Sequence, residues 1–312
     1  MKGIDLAKEY YIQYGKQMLE ENFQNYLDKI SIGLVGEGSE CFLFDDKISL
    51  DHDFDMGFCI FISQKDYDEI GFKLERAYAH LPKEFMGFKR QFLSPVGGNR
   101  RGVIITEEFY QRFLGIDKIL NDINWWFFVD SISLATATNG LIFNKSKTDF
   151  ALFRDYLLKG YPEDVRKKKL SAHLILAGQS GQYNYERLIK HGELGGANLA
   201  IFEFVNHAID IIYLLNNKYK PFYKWAFRGL RELEILSNLE PSLEGLLEYG
   251  NSEKEWQTKC EIIEDISSLI IEELKRQNLT NATCNNLKTH AYSVLDAIAD
   301  ANVRNMHIMD GV

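Results

Sequence analysis

Residues 51–62 read Asp51-His52-Asp53-Phe54-Asp55-Met56-Gly57-Phe58-Cys59-Ile60-Phe61-Ile62, an acidic cluster that runs directly into an apolar stretch. The stretch is short and rich in β-branched and aromatic side chains, which predicts a buried strand and not a membrane span. Side chains alternate along a strand, so Asp51, Asp53 and Asp55 share one face if the strand already begins there. Three carboxylates this close repel one another unless a cation lies between them. The cluster therefore predicts a divalent-metal site.

A glycine-rich turn precedes the cluster. The apolar run Ile32-Gly33-Leu34-Val35 predicts a first strand, and Gly36-Glu37-Gly38-Ser39 follows it. Gly38 would let the backbone approach a phosphate closely, and the hydroxyl and N–H of Ser39 could bind phosphate oxygens. The turn and the acidic cluster together predict a platform for a nucleoside triphosphate and its metal.

Other interpretations of the two motifs are weaker. An EF-hand loop beginning at Asp51 would need glycine where Met56 stands and a ligand where Ile62 stands. A P-loop would need a lysine that the glycine turn lacks. An exposed acidic turn before a strand remains an open alternative for the cluster.

In its combination of motifs the chain resembles the nucleotidyltransferase superfamily that includes DNA polymerase β and kanamycin nucleotidyltransferase, where Gly-Ser precedes Asp-x-Asp by about a dozen residues. More narrowly, it resembles the bacterial DUF4037 nucleotidyltransferases over roughly residues 30 to 230. The strings that carry this narrower resemblance are Gly38-Ser39-Glu40, Phe44-Asp45-Asp46, Asp51-His52-Asp53, Tyr161 to Arg166, Gln179 to Tyr185, and Leu215 to Trp225.

The resemblance implies a Mg²⁺-dependent nucleotidyltransferase that uses ATP or another nucleoside triphosphate. Asp51 and Asp53 would hold one or two Mg²⁺ ions. Asp55 would be a third metal ligand, or would replace Asp51 in the shifted register, in which the metal pair is Asp53 and Asp55. Gly38 and Ser39 would bind the triphosphate. The alternative is a weak or inactive nucleotide-binding, antitoxin-like module of the same fold.

The third metal carboxylate of the superfamily is missing from its expected strand. That strand corresponds to Val103-Ile104-Ile105-Thr106, and the first acids after it are Glu107 and Glu108. Either glutamate could reach the metal, but helix capping is the simpler role. This absence favours the inactive alternative, whereas the retained Gly38, Ser39, Asp51 and Asp53 favour the enzyme.

Further candidate residues lie in the second half of the chain. Lys224 stands in a Tyr-Lys-Trp string and, by resemblance, would contact the triphosphate or the substrate. Tyr185 follows a Gln-Ser-Gly-Gln turn and could line the same cleft. Glu203 is the candidate general base together with His207, because residues four apart share a helix face. A buried core histidine is the competing interpretation of His207.

Composition predicts a soluble cytoplasmic protein. The 312 residues are 46% hydrophobic, with no long apolar segment and no secretory leader at the start. The four cysteines show no metal-site spacing and are predicted to be reduced. A net charge of −9 favours a small-molecule acceptor over a nucleic acid. The basic run Arg166-Lys167-Lys168-Lys169 predicts a solvated helix face.

The predicted fold class is α/β followed by all-α. Residues 1–149 would form a nucleotidyltransferase-type mixed sheet with helices, an N-terminal helix and a connecting segment. Residues 64–80 predict an amphipathic helix, and residues 102–106 a strand. After Gly115 the strand patterns end and helical spacing dominates, so residues 150–312 would form a helical domain lining the substrate cleft.

Overall fold

A computed structural model of the chain describes residues 1–48, 55–90, 100–144 and 147–312. The chain divides into two compact units. The first comprises residues 1–121 and 129–159, and the second comprises residues 122–128 and 160–312. The first unit thus contains most of the predicted 1–149 domain, and the second contains most of the predicted 150–312 domain.

The first unit is a mixed sheet covered by helices. Its strands are β1 (Ser31–Leu34), β2 (Cys59–Ile62), β3 (Glu84–Phe85), β4 (Phe88–Lys89), β5 (Gly102–Ile105) and β6 (Leu141–Ile142). Its helices are α1 (Gly3–Tyr10), α2 (Lys16–Asn22), α3 (Gln64–Ala79), α4 (Thr106–Leu114), α6 (Ser131–Thr138) and α7 (Asp149–Leu157), with a π-helical segment Tyr11–Gly15 and a 3₁₀ turn Gln24–Tyr26.

The main sheet has the strand order β5-β2-β1-β6. Strand β1 is antiparallel to both β2 and β6, whereas β2 is parallel to β5. Strands β3 and β4 form a separate antiparallel pair. Because β1 and β2 run in opposite directions, the residues that follow β1 and those that precede β2 meet at the same edge of the sheet.

The core of this unit lies on both faces of β2, whose four residues are all buried. On one face, Phe58 and Ile60 pack in a cluster with Tyr10 of α1. On the other face, Phe61 stacks on Phe150 of α7 with ring centroids 3.7 Å apart. The central position explains why β2 is a continuous apolar run without polar alternation.

Several predictions for this unit are confirmed, and two are wrong. The strands around residues 31–35, 59–62 and 102–106 and the helix at 64–80 are present. Asp55 does not lie on a strand, because β2 begins only at Cys59. The prediction that strands end after Gly115 is also wrong, since β6 at Leu141–Ile142 pairs with β1. With two residues, β6 is too short to show a period in sequence.

The second unit is helical, as predicted for this part of the chain. Its helices are α5 (Trp125–Phe128), α8 (Glu163–Ala177), α9 (Glu186–Lys190), α10 (Leu194–Leu215), α11 (Tyr223–Leu230), α12 (Glu240–Glu248), α13 (Glu253–Arg276), α14 (Leu287–Asp296) and α15 (Ala301–Asn305), with a π-helical segment Gly178–Tyr185 and 3₁₀ turns Ser237–Leu239 and Ile308–Gly311. The Gln-Ser-Gly-Gln stretch, predicted as a turn, therefore continues the helix of α8.

Helix α10 is long and apolar enough to cross a membrane, but 67% of its apolar window is buried inside the structure. Such burial is typical of the core helix of a soluble protein. The prediction of a solvated basic run on α8 is wrong, because Arg166, Lys168 and Lys169 are buried. The Lys168 ammonium donates hydrogen bonds to the carbonyls of Arg304 (3.3 Å) and Met306 (2.6 Å). The Lys168 charge thus interacts with carbonyls at the C-terminal end of α15.

Candidate functional site

The predicted phosphate-binding turn is a loop in which two glycines hold unusual backbone angles. This glycine loop comprises residues 36–39 and begins two residues after β1 ends. Gly36 has a φ of 115° and Gly38 a φ of 123°. Side chains with a Cβ rarely adopt such angles, so both positions require glycine.

The glycine loop is fixed at its base by Asn139, which precedes β6 by two residues. The Gly36 N–H donates to Asn139 Oδ1 (2.8 Å), and Asn139 Nδ2 donates back to the Gly36 carbonyl (2.7 Å). Arg154 of α7 donates in turn to the carbonyls of Thr138, Asn139 and Gly140 at 2.8, 2.9 and 3.0 Å. Residues 138–140, which lead into β6, therefore position the loop through a chain of directed hydrogen bonds.

A buried ion pair lies beside the loop. Arg101, just before β5, donates a short hydrogen bond to Glu40 Oε1, and their side chains are 8% and 9% exposed. Burial raises the pKa of the neighbouring Cys41 and Cys59 thiols, so both stay neutral near pH 7. Burial by itself lowers the pKa of Arg101, but its acidic neighbours, Glu40 among them, raise the pKa above its ordinary value overall. The guanidinium therefore remains charged. The pair joins the loop to the start of β5.

Asp55 is the one acid of the predicted metal cluster that the structure describes. Its Oδ1 accepts a hydrogen bond from the Gly57 N–H at 2.6 Å, which closes an Asx turn before β2. Asp51 and Asp53 lie outside the described residues. The pairing of β1 with β2 brings the chain around Asp55 to the same sheet edge as the glycine loop.

Four donors of the glycine loop are available for a ligand. Within the described residues, no acceptor pairs with the N–H groups of Glu37, Gly38 and Ser39 or with the Ser39 hydroxyl. The Ser39 carbonyl, in contrast, accepts from the N–H groups of Phe42 (3.1 Å) and Phe44 (2.8 Å) and so holds the following turn. Successive backbone N–H groups beside a hydroxyl suit the binding of phosphate oxygens.

A groove of about 220 Å³ opens next to the loop. Its wall is built from β5 and the aromatic face of α4, and Gly36 and Glu37 contribute to its rim. Glu37 is bound there by two guanidinium groups, Arg112 at 2.9 Å and Arg100 at 3.5 Å. The volume falls below the roughly 300–1,000 Å³ of pockets for whole drug-sized ligands, so the groove would hold only part of such a ligand.

The two glutamates after β5 have different surroundings. Glu107 Oε2 accepts a hydrogen bond from the N–H of Gln64 at 2.9 Å, so it caps the start of α3 and not its own helix α4. Glu108 lines the groove. Strand β5 itself carries no carboxylate, as the sequence indicates.

Lys224 and Tyr185 belong to the second unit. Lys224 of α11 lies over the ring of Trp225, 4.4 Å from its centroid. Tyr185 is fully buried, and its hydroxyl donates to Asn251 Oδ1 at 2.9 Å. Its side chain therefore packs within the helical unit.

The candidate base Glu203 and its neighbour His207 are part of a larger polar cluster between α8 and α10. His207 Nε2 lies 3.2 Å from Glu203 Oε2, and His207 Nδ1 lies 3.0 Å from His173 Nδ1. His173 also approaches Asp210 Oδ2 at 3.7 Å. Burial lowers the pKa of His173 to about 4 and also lowers that of His207, so both rings are neutral near pH 7.

Sequence reasoning missed the residues that position the loop, namely Asn139, Arg154 and Arg101, and the clustering of His173 with Asp210. Asn139 and Arg154 lie more than a hundred residues from Gly36. Of the residues around the loop, only Glu40 had a sequence signal of a role there, because it follows Gly38 and Ser39 in the string that resembles DUF4037.

Residues 126–226 match the model of a family described as a domain of unknown function, DUF4037. The match supports the DUF4037 resemblance over this segment, which contains His173, His207, Asp210 and Lys224. It begins after the glycine loop, Arg101 and Asp55. Comparisons with curated proteins and with solved structures found no significant match.

Proposed function

We propose that this protein is a Mg²⁺-dependent nucleotidyltransferase that moves a nucleoside monophosphate from a nucleoside triphosphate, with ATP favoured, to an acceptor and releases pyrophosphate. The observation that carries the proposal is the glycine loop with its unpaired donors, held at the sheet edge where the chain passes from Asp55 into β2. A cytoplasmic location belongs to the same proposal.

In this proposal the glycine loop binds the triphosphate. The N–H groups of Gly38 and Ser39 and the Ser39 hydroxyl donate to its phosphate oxygens. The nucleoside end extends into the groove, because Gly36 and Glu37 belong to the loop and also line the groove. Donors that are already in place lose little entropy when the ligand binds. Such positioning, together with electrostatic stabilisation, is the main contribution of a protein to phosphoryl transfer.

The carboxylates suit Mg²⁺, which prefers oxygen ligands. Asp51 and Asp53 are the proposed ligands, while Asp55 already accepts a hydrogen bond from Gly57 within its own turn. When bound, Mg²⁺ neutralises charge on the triphosphate and on the departing pyrophosphate. The acceptor is proposed to be a small molecule and not a nucleic acid, because a net charge of −9 opposes polyanion binding.

The test incubates the protein with Mg²⁺, a cell extract as the source of acceptor, and each labelled nucleoside triphosphate in turn. We expect label transfer and pyrophosphate release from the wild type and from Asp28→Asn, an exposed control carboxylate in the same unit. Asp51→Asn and Asp53→Asn should abolish both. Asp55→Asn retains an acceptor for the Gly57 N–H, so it should keep most activity. Absence of transfer with every nucleotide contradicts the proposal, and loss in Asp55→Asn but not Asp51→Asn assigns the metal to the shifted register.

A nucleotide-binding module without catalysis is the second candidate. The observation that favours it is β5, which lies next to β2 without a carboxylate, while the nearby Glu107 already caps α3. Titration calorimetry with ATP separates the two candidates. Binding that needs no Mg²⁺ and survives Asp51→Asn supports the module, whereas Mg²⁺-dependent binding that Asp51→Asn abolishes supports the enzyme.

A further inference from the structure

Three ligand-type side chains converge between two packed helices of the second unit. His173 comes from α8, and His207 and Asp210 come from α10, where a spacing of three residues places them on one face. One nitrogen or oxygen atom from each residue lies within 4.8 Å of the other two. The Nδ1 atoms of the two histidines are 3.0 Å apart, and His173 Nδ1 is 3.7 Å from Asp210 Oδ2.

Two of these separations are close to those in the coordination shell of a first-row divalent metal. Bonds of about 2.0–2.1 Å in a tetrahedron place neighbouring ligand atoms about 3.3–3.4 Å apart, so the two distances lie on either side of that value. Two imidazoles and one carboxylate select metals such as Zn²⁺ over Mg²⁺ or Ca²⁺, which prefer oxygen. The side chains are only 8–13% exposed, so a bound ion would be shielded from water.

The ring orientation of His207 also suits a metal ligand. Its Nε2 faces the Glu203 carboxylate at 3.2 Å, which leaves Nδ1 directed at the cluster. A carboxylate on the far nitrogen of a histidine fixes the ring and makes the near nitrogen a better ligand. Metal-binding histidines almost always donate this far N–H to a carboxylate, a backbone carbonyl or a water. Glu203 would therefore be a positioning residue, exposed at the surface while the site itself is buried.

We infer that His173, His207 and Asp210 form a site for a first-row divalent transition metal, of which Zn²⁺ is the representative. The site lies in the helical unit, does not depend on the proposed nucleotidyl transfer, and uses ligands of a different chemical class from Asp51 and Asp53.

A lysine competes with the metal for one ligand. Lys220 Nζ donates to Asp210 Oδ2 at 2.6 Å and to Asn206 Oδ1 at 3.0 Å. If a metal binds Asp210 Oδ2, the Lys220 ammonium loses that partner but keeps its hydrogen bond to Asn206. Lys169 is a second cation whose charge reaches His173. Both cations weaken metal binding electrostatically, so removal of Lys220 should tighten it.

The experiment titrates ZnCl₂ into metal-stripped full-length protein by calorimetry, with the cobalt(II) absorption spectrum as a second readout. We expect one Zn²⁺ per chain for the wild type and binding at least tenfold weaker for Asp210→Asn and His173→Gln. Lys220→Met should bind more tightly than the wild type. The controls are His191→Gln and Cys284→Ser, which change exposed potential ligands outside the cluster and should bind as the wild type does.

The outcomes separate the site from adventitious binding. No binding of micromolar Zn²⁺ by the wild type overturns the inference, as does equal binding by the wild type and a folded Asp210→Asn variant. If Asp210→Asn loses its helical circular dichroism, the Lys220→Met variant provides the test. A Zn²⁺ affinity equal to that of the wild type overturns the site, and a higher Zn²⁺ affinity supports it. None of these readouts uses nucleotide transfer, so failure of the proposed function leaves the metal site standing.

Discussion

Replacement of Glu40 by glutamine should destabilise the first unit strongly, because it leaves the Arg101 guanidinium buried without its carboxylate. Arg101 is 8% exposed, and within the described residues its Nε has no hydrogen-bond partner. Loss of one member of a buried pair costs about 3–5 kcal/mol. The Asp55 carboxylate also acts on Arg101 and offsets part of the loss. We therefore expect a decrease in the free energy of unfolding near the lower limit, about 3 kcal/mol.

The assay must report on the first unit alone. All four tryptophans, Trp125, Trp126, Trp225 and Trp256, lie in the second unit, so intrinsic fluorescence would follow the wrong unit. Cys59 is buried in the first unit and becomes available for alkylation when that unit unfolds. Short alkylation pulses across a urea series, read by mass spectrometry of the Cys59 peptide, give its midpoint. A loss of about 3 kcal/mol lowers that midpoint by about 1.5 M for a slope near 2 kcal/mol per M.

Glu37→Gln is the matched control. Glu37 is 35% exposed and pairs with the similarly exposed Arg112 and Arg100, so its loss should cost less than about 1 kcal/mol. The double variant Glu40→Gln with Arg101→Met removes both buried charges and should recover much of the stability. Equal midpoints for Glu40→Gln and Glu37→Gln would refute the reasoning, as would a double variant no more stable than Glu40→Gln.

Two further predictions concern the loop and the thiols. Gly38→Ala should lower the free energy of unfolding by about 1–3 kcal/mol in the same assay, because the φ of Gly38 is 123° and a Cβ there would lie 2.6 Å from the Glu40 carboxylate oxygens. Gly87→Ala is the control and should cost less, because Gly87 also has a positive φ but a Cβ there would meet no atom within 4 Å. A larger loss for Gly87→Ala than for Gly38→Ala would contradict the argument. A side-chain hydrogen bond lowers the pKa of the exposed Cys284 thiol, whereas burial raises that of Cys260 to about 11. The thiolate is the reactive form, so the alkylation rate of Cys284 should rise at a lower pH than that of Cys260 in peptide-resolved labelling of the native protein, and the reverse order would contradict it.

Local patterns were enough to predict the central elements of the first unit. Strand β2 is a buried apolar run, and α3 begins where the Ser63 hydroxyl accepts a hydrogen bond from the N–H of Asp66, a capping signal that lies within four residues. The glycine loop was also predictable, because positive φ angles leave a compositional trace in Gly36 and Gly38.

Long-range features had no such trace. Gly36 and Asn139 are 103 residues apart, and no local rule pairs them. The basic run on α8 looked solvated because charge normally indicates exposure, yet Lys168 is buried against carbonyls more than a hundred residues away. The approach of His173 to Asp210 depends on how α8 packs on α10. A sequence pattern on α10 alone could indicate the spacing of Glu203, His207 and Asp210, but not the contribution of His173 from α8.

The way the glycine loop is held supports the proposed ligand-binding role over that of a merely structural turn. A connecting turn needs neither two glycines at φ above 100° nor a buried guanidinium beside it, and each of these features costs folding free energy. Asn139 satisfies the first N–H of the loop from within the protein, whereas the N–H groups of Glu37, Gly38 and Ser39 have no acceptor in the described residues. Hydrogen bonding that is complete at the base and open at the tip is the arrangement expected of a site that accepts its last partner from solution. An anion with several oxygens satisfies three adjacent N–H groups and a hydroxyl better than water does, and a triphosphate is such an anion.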